Sequence, residues 1–557
     1  MSDLNEKKAQ GRSVVVSGVL VYGIANILTK VIGLFFKIPM NDLLGDAGMA
    51  YFNAAYSVYV LFYMISTAGL PVAVSRLVAE SRAQGRFEQV KKIYRMTLLL
   101  FFCIGSVGTG LMILFSRQFA SFVDVKAQMC IIALAPTLFL VCLSSAFRGY
   151  FQGFRLLIPT GISQVLESLG KLVVGILLAR LAIAQGKPLE TVAAYGIFGI
   201  TIGVFAGLAY LWLTKLFFRP ERYDADYLAD FNGGVSDCDS GKRIVARLVS
   251  IAVPITLSSS VMSLSSLVDT VVMRSRLVAA GFEPDVARDL YGAYSTQCVS
   301  LFNLPPVLIY PVAYVIVPLV AECVARREKQ RMDRILDSSF RMTAMIALPC
   351  ALGMAAIPKY VLSMIFNSES SSVMAPLLSV LALAVFFIGV LATSNCALQG
   401  VGQERLPIFS MLAGAAVKLI SSWILVGIPS VNIYGTPIST VLCYATAMGL
   451  NLYFLAKYAD SLPSVRRVFL RPLFAAALCA AAAYGTAYGV NRVFYEGAAS
   501  GRTENAVVCL AAVAVAVLVY FIALFRLHGV EAEDIEMLPK GKKLLSLCRK
   551  LHLLPRA

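Results

Sequence analysis

Histidine is almost missing from this chain of 557 residues. Only His528 and His552 occur, both in the C-terminal tail. A histidine-based metal centre or acid–base relay inside the apolar segments is therefore excluded. Charge is scarce: Asp, Glu, Lys and Arg make up 15% of the residues, against a typical ~25%. No Cys-x-x-Cys occurs among the 12 cysteines, and most of them, Cys130, Cys142 and Cys443 among them, fall inside apolar runs. We read neither a disulfide framework nor a metal site from them. What is abundant is apolar: 58% of residues are hydrophobic and the mean hydropathy is +0.76. A water-soluble protein of this length needs far more polar surface. A soluble enzyme, a nucleic-acid binder and a disordered scaffold are excluded. The net charge of +17 would suggest nucleic acid in a soluble chain. Here the charges sit between apolar spans and read as orientation in a bilayer.

At about 20 residues per crossing, the hydropathy pattern gives fourteen spans, near 13–37, 49–75, 96–116, 128–147, 158–179, 192–214, 248–273, 292–321, 342–358, 373–398, 407–427, 433–456, 472–490 and 505–525. The first apolar run is too long for a signal peptide and reads as a retained span. With the N-terminus inside, 35 of the 49 Lys and Arg fall in cytoplasmic segments and 10 in outer ones. That bias places both termini in the cytoplasm of a multi-pass protein of the cell membrane.

The chain also matches itself. Leu77-Val78-Ala79-Glu80 recurs as Leu319-Val320-Ala321-Glu322, Arg95-Met96-Thr97 as Arg341-Met342-Thr343, and Gln152-Gly153 as Gln399-Gly400. Pro159 with Lys171 recurs as Pro407 with Lys418, Tyr195-Gly196 as Tyr434-Gly435, and Lys215 as Lys457. The offsets run from 239 to 248 and keep their order. The expected fold is all-α: about 14 transmembrane helices, in two parallel six-helix lobes plus two C-terminal helices. The lobes cover 13–217 and 245–458, a cytoplasmic linker covers 218–244, the last two spans lie in 467–527, and a tail covers 528–557.

Thr29-Lys30-Val31-Ile32-Gly33-Leu34, the loop Leu44-Gly45-Asp46, and Thr67-Ala68-Gly69-Leu70-Pro71-Val72-Ala73-Val74-Ser75-Arg76 carry a resemblance. They are similar to the stage V sporulation protein B branch of the polysaccharide transporters. That branch lies within the superfamily of multidrug, oligosaccharidyl-lipid and polysaccharide exporters, which includes lipid II flippases. The resemblance implies two lobes, alternating access and a lipid-linked sugar as substrate. It also implies cell-wall synthesis enzymes as partners.

A charge at mid-bilayer costs at least ~2.5–3.5 kcal/mol on insertion scales, so each such residue calls for a partner or a task. Lys30 and Lys37 lie seven apart on one face of span one with Gly33 between them, where backbone could approach a ligand. They read as a cationic seam for a lipid diphosphate; snorkelling is the alternative for Lys37. Glu167 and Lys171 are four apart on span five and read as a self-neutralising pair, so that Lys171→Ala would act on stability. Lys418 repeats Lys171 but has Gly414 at the matching acid position, which makes Asp269 its candidate partner, structural or ion-coupling. Because some flippases of this superfamily bind sodium through acidic and amide groups, the lysine here argues against sodium. Arg274 and Arg276 end span seven near the repeat position of the seam, and Arg76 ends span two; all three are candidate substrate contacts or interface anchors. Pro305, Pro306, Pro311 and Pro318 suit a bending element.

Two features read as bystanders. Asp224-Ala225-Asp226 and Asp237-Cys238-Asp239 imitate a glycosyltransferase motif, but their loop is a short linker. Lys540–Arg556 forms a basic amphipathic stretch suited to the anionic inner leaflet, with a docking helix as the alternative. The expected function is movement of a polyprenyl-pyrophosphate-linked saccharide from the inner to the outer leaflet. A multidrug or cation antiporter and a membrane-embedded glycan polymerase or ligase are the alternatives. No catalytic residue, cofactor or metal is assigned. Without a GxxxxGK[ST] phosphate loop, coupling is expected from an ion gradient, the membrane potential or substrate consumption.

Overall fold

The computed structural model describes residues 2–67, 69–217, 239–366, 369–495, 501–527 and 529–530. Both histidines, the basic tail, and the linker acids other than Asp239 lie outside the described residues. The described chain is helical, and no strand occurs among the described residues. It divides into two compact units, Met1–Val271 and Val272–Ala557.

In the first unit α1 (Ser2–Thr67) holds the first predicted span and the second as far as Thr67, joined at Gly45 with φ 62° and ψ −174°. That conformation is essentially closed to a residue with a Cβ, so the Leu44-Gly45-Asp46 turn needs its glycine. Next come α2 (Leu70–Ala83), α3 (Phe87–Leu114), α4 (Ser116–Val123), α5 (Gln128–Gly153), α6 (Ile158–Ala184) and α7 (Leu189–Phe217). α5 is buried along most of its length, and its Thr137 hydroxyl meets that of Thr201 on α7 at 2.6 Å.

α8 (Gly241–Ala279) crosses the division between the units. Its first half is tied to the first unit. Gly69 N–H donates to Thr256 Oγ1 at 3.2 Å, Arg247 pairs with Glu80 at 2.9 Å, and Gln89 and Asp239 exchange two hydrogen bonds of 2.8 Å. Gly69 is required by contact: a Cβ there would stand 2.1 Å from the Ala252 carbonyl oxygen.

The second unit continues with α9 (Pro284–Ala293), a wide π turn at Tyr294–Cys298, α10 (Val299–Phe302), α11 (Pro305–Tyr314) and α12 (Ile316–Arg326). The eighth predicted span is thus broken. The helix stops at Asn303 and Leu304, directly before Pro305 and Pro306, which supply no N–H to continue it. Then come α13 (Lys329–Ala356), α14 (Pro358–Ile365), α15 (Ser371–Gly400), α16 (Leu406–Val426) and α17 (Gly435–Ala459). α18 (Arg471–Tyr495) and α19 (Arg502–Arg526) pack their alanines against Ala344 and Leu348, and Tyr520 O–H donates to the Met345 carbonyl at 2.7 Å. Small residues let helices approach closely where lipid offers no hydrophobic drive.

Ten helical stretches among the described residues are long and apolar enough to cross a membrane, and Val21–Ala83 among them holds two predicted spans. α6, with Glu167, Lys171 and Arg180, the long α8 and the broken eighth span complete the predicted set. The internal repeat recurs as element order. α3 and α13 have 28 residues each, and α4 and α14 have 8 each. Gly85 and Arg327, just before α3 and α13, both take positive φ. The repeated sequence matches also touch one another. A Cβ on Gly153 would meet Val78 Cβ at 2.6 Å, and one on Gly400 would meet Val320 Cβ at 2.8 Å.

Candidate substrate site

The candidate site lies in the first unit. Lys30 is exposed on α1 and Lys37 is half-buried. Gly33 between them has open space where a Cβ would stand. Lys171 reaches across from α6 and places Nζ 4.6 Å from the Phe36 ring centre and 5.8 Å from that of Tyr56. Phe36 immediately precedes Lys37 on α1, and Lys30 stands two helical turns before Lys37. Three lysines from two helices therefore share one region, steadied by the negative faces of aromatic rings.

The expected Glu167–Lys171 pair is corrected by this geometry. Glu167 forms its ion pair with Arg148 of α5, whose Nε also donates to Ser163 Oγ at 3.3 Å. The spacing of four allows the intrahelical pair, but the forked guanidinium of Arg148 reaches Glu167 and Ser163 at once, and Lys171 turns to the α1 rings instead. Sequence reasoning missed Arg148 because it ended span four at residue 147 and counted the arginine as cytoplasmic. α5 continues to Gly153, so Arg148 is 9% exposed inside the unit. The run Gly149-Tyr150-Phe151, itself apolar, was the signal that the helix goes on.

Arg76 is exposed and pairs with Glu80 at 3.0 Å. Asp269 lies on the first-unit part of α8, whereas Lys418 is buried on α16 of the second unit. In the second unit Arg274 is half-buried, and Arg276 stacks on Trp423, 4.7 Å from the ring centre, while donating to that residue's carbonyl at 3.0 Å. Among the described residues no three His, Cys, Asp or Glu side chains are grouped to hold a metal.

The profile of the polysaccharide biosynthesis protein family matches residues 15–324, and the MatE profile matches residues 296–424. The chain is 26% identical over 543 residues to the uncharacterized membrane protein YabM of Bacillus subtilis (strain 168), covering 96% of each. With stage V sporulation protein B of the same organism it shares 24% identity over 426 residues, 76% of this chain and 80% of that one. The fold is similar to a solved structure of the lipid II flippase MurJ in an inward closed conformation. The TM-score is 0.63 at 12% identity, over 91% of this chain and 99% of that one. With a family match across more than half its length and a multi-pass helical fold, the chain belongs to the polysaccharide biosynthesis protein family, membrane transporters of the multidrug, oligosaccharidyl-lipid and polysaccharide exporter superfamily.

Proposed function

We propose that the chain carries a polyprenyl-diphosphate-linked saccharide, a cell-wall precursor such as lipid II or a polysaccharide unit, from the inner to the outer leaflet by alternating access. One observation carries this reading. Lys171 lies over the Phe36 ring beside Lys37 on α1, with Lys30 two turns away on the same helix, while Glu167, one turn from Lys171, is taken by Arg148. A diphosphate offers several acceptors to ammonium donors. A cationic drug would be repelled there, which disfavours the multidrug reading. The likeness to a lipid II flippase supports the same substrate class. In the proposed orientation both termini and the linker are cytoplasmic, and the basic tail rests on the anionic leaflet.

Leaflet-resolved transport of lipid-linked sugars in proteoliposomes tests the reading. Lys30→Ala and Lys171→Ala are expected to lower transport at least tenfold while yield and membrane insertion persist. Lys30→Arg should keep part of the activity, since charge survives although geometry changes. If Lys30→Ala transports normally, or fails only through loss of protein, the diphosphate site is wrong.

A further inference from the structure

Beside the lysines runs a feature that charge does not explain. Phe52, Tyr56, Tyr59 and Tyr63 follow one another on α1 at steps of four, three and four, a single helix face. Successive ring centres are 6.5, 5.8 and 5.9 Å apart. One end adjoins the lysines, with Lys171 Nζ 5.8 Å from the Tyr56 ring centre. The other end lies in the field of Arg148 and Glu167. Tyr56 is 37% exposed and Tyr59 only 5%. No hydrogen bond among the described residues reaches the hydroxyls of Tyr56 and Tyr59, while that of Tyr63 meets Thr67. Buried phenols normally find a partner, and a packing stripe alone would be served by phenylalanine.

We propose that Tyr56, Tyr59 and Tyr63 form a saccharide subsite that continues from the lysine cluster. This rests on the diphosphate reading, because it assigns the sugar that follows the phosphates. Pyranose rings present apolar C–H faces that stack on aromatic rings, and hydroxyls that pair with phenol O–H groups, the mix of aromatic wall and few polar groups that small-molecule sites use. The stripe from Tyr56 to Tyr63 spans about 10 Å at the helical rise, enough for a disaccharide.

The test titrates full-length protein in detergent with two probes, a bare polyprenyl diphosphate and the same lipid carrying a disaccharide. Wild type should bind the sugar-bearing lipid at least tenfold more tightly. Tyr59→Phe with Tyr63→Phe, which keeps both rings, and Tyr59→Phe alone should each erase most of that advantage and leave the bare lipid unchanged. Absence of an advantage in wild type, its survival in these variants, or equal weakening of both lipids overturns the subsite. Lys30→Ala should weaken both lipids together. If it weakens neither, the diphosphate reading fails, while the tyrosine variants still report on the sugar.

Discussion

Arg148 and Glu167 show what a buried charge demands of its neighbours. Both side chains are largely withdrawn from solvent, so removing one leaves the other without compensation. Breaking such a pair costs ~3–5 kcal/mol, whereas replacing both members by apolar groups is often neutral. Arg148→Ala should therefore lower the thermal unfolding midpoint in detergent sharply, and Arg148→Met combined with Glu167→Leu should recover most of it. Lys171 is expected to behave differently. It sits over Phe36 and Tyr56, so Lys171→Ala should spare the midpoint and act on transport. The proposed Lys30–Lys37 seam rests on sequence spacing, because both residues share one helix and one stripe. The Arg148 pair was not readable in sequence, because a spacing of four is equally compatible with a local partner and with one on another helix, and packing decides between them. The tyrosine stripe was passed over since aromatics at helical spacing usually mean core or membrane-interface packing.

Two glycines carry element-scale roles for separate reasons. Gly45 holds a backbone conformation that other residues avoid. Gly45→Ala should cost ~1–3 kcal/mol, measurable as a lower midpoint. Gly69 has an ordinary φ of −89°, so alanine there is unstrained by itself. Its Cβ would instead strike the Ala252 carbonyl. Gly69→Ala should consequently express well, lose transport, and make Ser250 on α8 more reactive once it is changed to cysteine. Unchanged transport would show that the contact yields at no cost. Hydropathy located these spans because membrane thickness dictates their length. The continuous reading of the eighth span failed in detail: its prolines announced a bend, but a full break at Asn303 and Leu304 depends on what packs around it.

For the whole molecule, orientation follows from the distribution of lysine and arginine. A variant retaining Cys238 as its sole cysteine should react with an impermeant maleimide only from the cytoplasmic side; labelling from outside intact cells would overturn the fourteen-span topology. The proposed duplication rests on short sequence matches in constant order, some of which fall on contact points such as Gly153 against Val78 and Gly400 against Val320. The division by packing was not visible, because α8 begins the second sequence repeat while its first half is bound to Gly69, Glu80 and Gln89. A gene cut in the loop between the repeats would thus give an amino-terminal fragment with three severed attachments. Cutting after residue 279 keeps them. Of two such fragments produced separately, 1–279 should accumulate and resist proteolysis, and 1–217 should be degraded unless its complement is made in the same cell.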